Sequence, residues 1–439
     1  VTPAEQAFAE QLEHAVGSPR PNRRPGGEPA FVRALREAGR ETFLRVMLPT
    51  QKHEDWRFTN LSALSASCLG EVAPLAGGDP QPALPAPPRL VFWNGYLDLR
   101  RTDLSGLPRG VRVVSLGAAL RERPGAVEPL LGQVVGARDH AFGALNAGLF
   151  RDGAFIEFAG GVACERPIHL VFVTSAVEPA AWHPRNLIAL GQGARGTVVE
   201  SYHGQGPYLV NAVTEVALGE GARLEHDRIQ EEDQGAFHVG QVEVAQSAAS
   251  RFTAQSVALG AALARVEVRA LLGGEGAACD VHGLYVGVGR QVLDHLVRVD
   301  HASPRCTSRE VFKGILDGTS RGVFAGRVHV RPGAQKTDAS QVSSNLLLSR
   351  EAVADSRPEL EILADDVKCS HGGTVGQLRE EQLFYLRSRG VPEVLARALL
   401  TWAFASEMVE RVGPGDVRSR VREAVRARLP GGALLLEAA

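Results

Sequence analysis

The chain has 439 residues, too many for one hydrophobic core, so two or three domains are expected. Its 48 Lys and Arg nearly cancel 50 Asp and Glu, without the basic excess that marks a nucleic-acid binder. Five dispersed cysteines without a CxxC pair argue against a disulfide framework and for a reducing compartment. There is no signal-like start and no apolar run of membrane-spanning length. The expectation is a soluble cytoplasmic protein that binds neither membrane nor nucleic acid.

Residues 1–150 read as a helical region with a connector and leading strands. From Phe31 to Met47, helical spacing puts Phe31, Leu35, Ala38 and Val46 near one face, and Pro49 ends the pattern. A charged, aromatic segment follows, Glu54-Asp55-Trp56-Arg57-Phe58-Thr59. Six prolines and Gly77-Gly78 between Pro74 and Pro88 suit neither helix nor sheet and read as a connector. Val91-Phe92-Trp93 then runs into Asn94-Gly95, a tight-turn dipeptide flanked by strand-like residues.

Residues 151–366 read as a β core. Short β-like runs such as Thr197-Val198-Val199, Val213–Leu218 and Val266–Arg269 alternate with small turn residues, and they repeat. Gly193-Ala194-Arg195, Gly221-Ala222-Arg223, Ala249-Ser250-Arg251 and Gly276-Ala277-Ala278 each precede a strand, and Ala194, Ala222, Ser250 and Ala277 stand 28, 28 and 27 positions apart. Tyr285-Val286-Gly287 and Phe312-Lys313-Gly314 are again 27 apart. A repeat of this length, built of strands and small turn residues, predicts a β-solenoid; an evenly stranded β-sandwich is the competing reading.

Residues 367–439 read as a helical domain. Glu381–Arg389 is helical in pattern and Gly390 a natural stop. Pro392 suits a first turn. Leu395, Leu399, Trp402 and Ser406 form the next stripe, widened by Leu400 and Phe404. Val417–Leu429 is a basic amphipathic helix.

Chemistry is concentrated at Ala364-Asp365-Asp366-Val367-Lys368-Cys369-Ser370-His371-Gly372. Thiolate and imidazole suit iron, zinc and copper, and extended backbone points Cys369 and His371 to the same side. Two ligands are fewer than a closed metal site needs. Either further ligands come from elsewhere, another chain included, or Cys369 is a small buried hydrophobe and His371 simply hydrogen-bonded. Asp365 and Asp366 read as an acid/base pair, as hard-metal ligands, or as turn caps and surface charge.

The run Asp294-His295-…-Asp300-His301 puts both histidines on one face of a strand, too far apart to share a metal, and reads as satisfied strand polar groups. The polar run Gln335–Asn345 reads as turn and backbone satisfaction. Cys68, Cys164, Cys279 and Cys306 have no ligand-spaced partners. The chain carries no Walker loop, GxSxG elbow, HExxH or credible dinucleotide fingerprint, hence no visible means of hydrolysing ATP.

Several long motifs carry a resemblance. Phe324-Ala325-Gly326-Arg327-Val328-His329-Val330, Ala334–Ala339, Asn345–Ser349, Pro358–Ile362, the Ala364–Gly372 stretch and Leu383–Gly390 together resemble the SufB/SufD family of iron–sulfur cluster assembly proteins. The Glu54–Thr59 segment is similar to the SufD branch of that family. The resemblance spans about residues 30 to 412. It implies a flattened right-handed parallel β-helix between N-terminal and C-terminal helical domains.

It also implies a non-catalytic scaffold subunit of a SufBCD-type complex. Such a subunit pairs with a SufB-like paralogue and docks a SufC-type ATPase through the helices at about 376–412. A transient iron–sulfur cluster would be shared with the paralogue, with His371 as a ligand and Cys369 as the matching cysteine of less certain role. Sulfur delivery by a cysteine desulfurase system and a homodimer of the isolated chain are left open. Flavin binding in the complex is left open. Two other readings stand beside it: a β-helix enzyme acting on polysaccharide through Asp365 and Asp366 or Asp300, and a purely structural adaptor.

Overall fold

The computed structural model describes residues 1–17, 27–67, 69–71, 82–134 and 140–437. Two sheets face each other and are built alternately by the chain. One runs in the order Val353–Ile362, Arg321–Val330, Val292–His301, Leu263–Leu272, Phe237–Gln246, Tyr208–Leu218, Arg185–Leu190, Ala154–Phe158 and Val111–Ser115. The other runs Lys368–Gly376, Asp338–Leu347, Thr307–Leu316, Ala278–Gly287, Arg251–Ala258, Arg223–Gln230, Arg195–Gln205, Ile168–Ser175 and Arg89–Trp93. Successive strands of each sheet pair in parallel along this path up to Ala154–Phe158 and Arg89–Trp93. The chain is therefore a parallel β-solenoid. The sandwich reading fails because every neighbour in the coil lies one turn away in sequence rather than across a hairpin.

The corner explains the sequence repeat. Gly193, Gly221, Ala249, Gly276, Arg305 and Lys336 all take positive φ, between 56° and 71°. The next residue in each case, Ala194, Ala222, Ser250, Ala277, Cys306 and Thr337, is buried in the bend. A left-handed residue followed by a small buried one turns the chain into the next strand, and glycine makes the bend without a Cβ penalty. The second expected spacing is not the coil register. Tyr285 pairs with Gly314, and Ala278 with Thr307, so this coil is 29 residues long.

Inward residues stack in columns. Leu224, Phe252, Cys279, Ser308, Ala339 and Cys369 are successive register partners. Burying a large member such as Leu224 or Phe252 is worth ~1.5–3 kcal/mol, so each coil is stabilised by the coils above and below it. Asn94 and Gly95, with φ of 47° and 82°, make the expected tight turn between Arg89–Trp93 and Tyr96–Leu97.

The helical units stand at the two ends of the sequence, but in space they cover the two outer faces of the coil. Helices Pro3–Gly17, Ala30–Val46 and Ala141–Leu149 bury Phe8, Leu12, Phe43, Phe142 and Leu145 against Leu209, Val239 and Leu263 of the first sheet. The buried stripe of the second helix is Val32, Leu35, Arg36, Gly39 and Phe43 rather than Phe31, Leu35, Ala38 and Val46. Gly39 sets this rotation, because a methyl group there would lie 2.7 Å from the Ala144 carbonyl oxygen.

On the other face, helices Glu393–Val409 and Gly415–Arg428 set Ala405, Met408, Val417, Val421 and Val425 against Val199, Ile229, Val257, Leu284 and Ile315. The buried side of Glu393–Val409 is Ala396, Ala398, Thr401, Ala405 and Met408, not the expected Leu395, Leu399, Trp402 and Ser406. Small side chains let the helix approach a sheet already covered with branched ones.

The Glu54–Thr59 segment joins the N-terminal unit to the coil. Trp56 stacks on Phe142 at 5.4 Å and lies under the Arg265 guanidinium. Asp55 pairs with Arg298, Thr59 donates to Asp294, and Glu54 lies 3.4 Å from Arg357 on Val353–Ile362. Of the proline-rich connector, residues 74–81 lie outside the described residues, as does Cys68. No described helix is long and apolar enough to cross a membrane.

The corner argument has a direct check. At Gly221 an added Cβ meets no atom within 4 Å, so Gly221→Ala tests backbone strain alone. It should cost about 1 kcal/mol, read as a lower thermal midpoint. Ala249→Gly at the equivalent corner should not lower the midpoint.

Candidate functional site at the open end of the coil

Both sheets end without a further strand on one side. Among the described residues, Val353–Ile362 and Lys368–Gly376 each have a neighbour on one edge only. A strand edge carries a row of free backbone donors and acceptors, a template for pairing with another chain. Exposed apolar side chains gather at this end: Val342, Val353, Ile362, Leu363 and Val375.

The Cys-x-His motif lies on this last strand. The expected boundary between β core and helical domain, at 366, falls just before the last coil strand, Lys368–Gly376, and so ten residues short of that strand's end. The motif is part of the coil rather than of the tail because Lys368–Gly376 pairs residue by residue with Asp338–Leu347. Cys369 pairs with Ala339 and His371 with Gln341, both inward positions. Cys369 and His371 thus share the inner side of the strand, as alternation requires. Gly373, two further on, faces Ser356 of the opposite sheet.

Cys369 is half-buried and packs against the core, whereas His371 is exposed at the mouth. Burial raises the Cys369 thiol above its ordinary range, the Ala339 backbone bond opposes this, and Asp338 adds to it. The free chain therefore presents a thiol rather than a ready thiolate. Among the described residues no group of three or more His, Cys, Asp or Glu could hold a metal ion. Two donors of the right chemistry stand on one strand, and this chain does not complete the set.

The other sequence candidates are structural. Asp366 pairs with Lys336 at the preceding corner, its backbone N–H donates to Gln335, and Asp365 is exposed. Asp300 faces outward and binds Arg331 and, at 3.3 Å, His329. Asp294 is buried against Arg265 and Thr59. His295 and His301 point inward, with ring nitrogens 3.4 Å and 2.9 Å from Ser256 and Ser308. Burial holds them at about 3 and about 4, so both are neutral. Cys164, Cys279 and Cys306 are buried singly.

Behind His371 lies a group that sequence reasoning assigned only to backbone satisfaction. Gln341 Nε2 donates to Glu310 Oε2 at 3.0 Å. Glu310 pairs in register with Gln341, so His371, Gln341 and Glu310 are consecutive members of one inward column. Gln341 Oε1, Glu310 Oε1 and Ser356 Oγ are buried without a partner. Burial pushes Glu310 up to about 8, with the Gln341 bond pulling the other way.

Midway along the coil the interior is different. Glu200 accepts from Tyr202 at 2.8 Å and Thr214 at 2.6 Å and lies 3.1 Å from His226. Burial pushes Glu200 up, but His226 and Arg228 outweigh it and hold it at about 2. Arg228 Nη1 there has no hydrogen-bond partner, like Gln341 Oε1 and Glu310 Oε1 in the group near the mouth, which differs in standing next to His371. A sign for it exists in the sequence, since Glu310 and Gln341 are polar at inward positions of a recognisable repeat, but only the coil register identifies them as neighbours.

Comparison with known proteins agrees with this architecture. Residues 172–404 match the model described as "SUF system FeS cluster assembly, SufBD core domain", and residues 88–170 match the SufBD protein N-terminal region. The chain belongs to the SufBD family. It is 33% identical over 422 residues to the iron-sulfur cluster assembly SufBD family protein slr0076 of Synechocystis sp., covering 92% of each chain. It is 30% identical over 403 residues to the iron-sulfur cluster assembly protein SufD of Escherichia coli, covering 90% of this chain and 92% of that one. Protein ABCI7, chloroplastic, of Arabidopsis thaliana is 28% identical over 439 residues.

The raised value at Glu310 fixes a sign. The folded chain keeps a proton that the unfolded chain releases above about 4.3, so this group's contribution is full below that pH and is lost as pH rises to about 8. Glu310→Gln removes the titration. The thermal midpoint of the variant relative to the native chain should rise from pH 5 to about pH 8 and level off above it; a constant difference would contradict the assignment.

Proposed function

We propose that this chain is a SufD-type, non-catalytic scaffold subunit of a SufBCD-type complex for iron–sulfur cluster assembly. The observation that carries the reading is a sulfur–imidazole pair, Cys369 and His371, on the inner side of a strand paired along one edge and open along the other among the described residues. A SufB-like paralogue would pair with Val353–Ile362 and Lys368–Gly376 and bring the missing donors. The iron–sulfur cluster is then cargo, held at the seam and released, which partial ligation from each side favours over a closed cage. Without the paralogue, the same edges would pair two copies of this chain. Sulfur would come from outside, from a cysteine desulfurase system.

ATP hydrolysis belongs in this reading to a SufC-type ATPase. The C-terminal helices support such docking. Phe384 and Tyr385 on helix Glu380–Ser388 and Val394 on Glu393–Val409 are 72%, 58% and 57% exposed, and the first helix packs on the second, whose other side is buried on the coil. An ATPase can work on the seam only if its contacts differ between nucleotide states. Movement of the docked helices, which follow directly on the His371 strand, would expose or close the mouth. The polysaccharide-enzyme reading loses support because Asp366 and Asp300 are engaged with Lys336, Arg331 and His329.

His371→Ala should reduce cluster formation in the anaerobically reconstituted complex by about 10-fold or more, read by visible absorption, while the subunits still co-purify. Unchanged yield in an intact complex would favour the purely structural adaptor. Phe384→Asp combined with Tyr385→Asp should weaken capture of the ATPase by roughly 30-fold or more and leave pairing with the SufB-like subunit intact. Equal loss of both partners would contradict separate docking surfaces.

A further inference from the structure

We infer that Gln341 and Glu310 position His371: the Gln341 amide, held by Glu310, accepts a hydrogen bond from one His371 ring nitrogen and leaves the other free to bind outward. The inference rests on the reading of His371 as a ligand and adds what orients it. Three observations converge. First, His371, Gln341 and Glu310 stand on three adjacent parallel strands as register partners, all at inward positions. Second, one arm of the Gln341 amide is fixed by the 3.0 Å bond from Nε2 to Glu310 Oε2, while Oε1 is buried and has no partner. The next inward side chain along the column is His371, whose ring carries the N–H that such an oxygen lacks.

Third, the coil makes room for this pair. Gly326 stands on the opposite sheet, and a methyl group there would come within 2.7 Å of Gln341 Nε2 and 2.9 Å of Glu310 Oε2. Gly326 thus leaves space for these two polar side chains. An exposed imidazole on an edge strand is free to rotate and to exchange tautomers. A ligating histidine ordinarily donates its second ring nitrogen to an oxygen acceptor, which fixes both. Gln341 supplies that acceptor from the preceding coil, and Glu310 keeps the amide from turning.

The test uses the full chain labelled with ring-15N histidine, near pH 8, well above the ordinary histidine value of about 6.5. His371→Ala identifies the His371 signals. In the native chain His371 should be in one tautomer, and in Gln341→Met it should be a mixture of two. Glu310→Leu should also mix them, whereas Glu310→Gln, which preserves an oxygen acceptor for the Gln341 amide, should restore the native pattern. Zinc alone, titrated as the probe, should bind His371 about 10–100-fold more weakly in Gln341→Met. If Gln341→Met does not fold, Gly326→Ala presses on the same amide and should shift the His371 tautomer signals.

A single tautomer and native zinc affinity in Gln341→Met would overturn the inference. If instead the tautomer responds as expected but His371→Ala leaves zinc binding unchanged, the relay stands and the ligand reading falls.

Discussion

Parallel pairing in a coil leaves a free edge wherever the coil stops, and here that edge is left uncovered. Each of the two sheets closes its hydrogen bonds by adding the strand of the next turn, so the last turn has neighbours on one side only. Proteins commonly shield such edges with a helix or loop. In this chain the helices are spent elsewhere: one unit on the outer face of the first sheet, the other on that of the second. The Glu54–Thr59 segment reaches toward the end, where Glu54 binds Arg357 on the last strand of the first sheet.

The interior changes character along the same axis. Around Glu200, the side chains of Tyr202, Thr214 and His226 surround one carboxylate, and a network of this kind fixes packing deep inside the coil. In the last coils Glu310, Gln341 and Ser356 retain unpartnered oxygens. An unmet buried acceptor costs free energy, and its neighbour along the column is the exposed imidazole of His371. The open backbone edge, the half-buried thiol and the partly satisfied column are therefore one feature: the place where the stacking rule runs out of chain.

Much of the fold was legible because it is local. The Gly-Ala-Arg corners recur since each turn needs a left-handed residue and then a small buried one, and Asn94-Gly95 encodes its turn in two residues. The rotation of helices was not legible. In Ala30–Val46 it depends on Gly39 meeting the Ala144 carbonyl, and in Glu393–Val409 on small residues facing a branched sheet. Coil length also escaped the repeat, because Tyr285 and Phe312 look alike at a spacing of 27, yet the register pairs Tyr285 with Gly314.

By itself the sequence determined the solenoid, through side-chain size and backbone handedness repeated at each corner, and it put a thiol and an imidazole two residues apart on extended chain. It also carried the motifs by which the family can be read. Only the tertiary structure decided that this pair belongs to the last strand, that the strand is open along its outer edge, and that Gln341 and Glu310 stand behind the histidine. Those relations join residues about 30 positions apart through hydrogen-bond register, and register is set by the sum of corner lengths, a quantity no single segment contains.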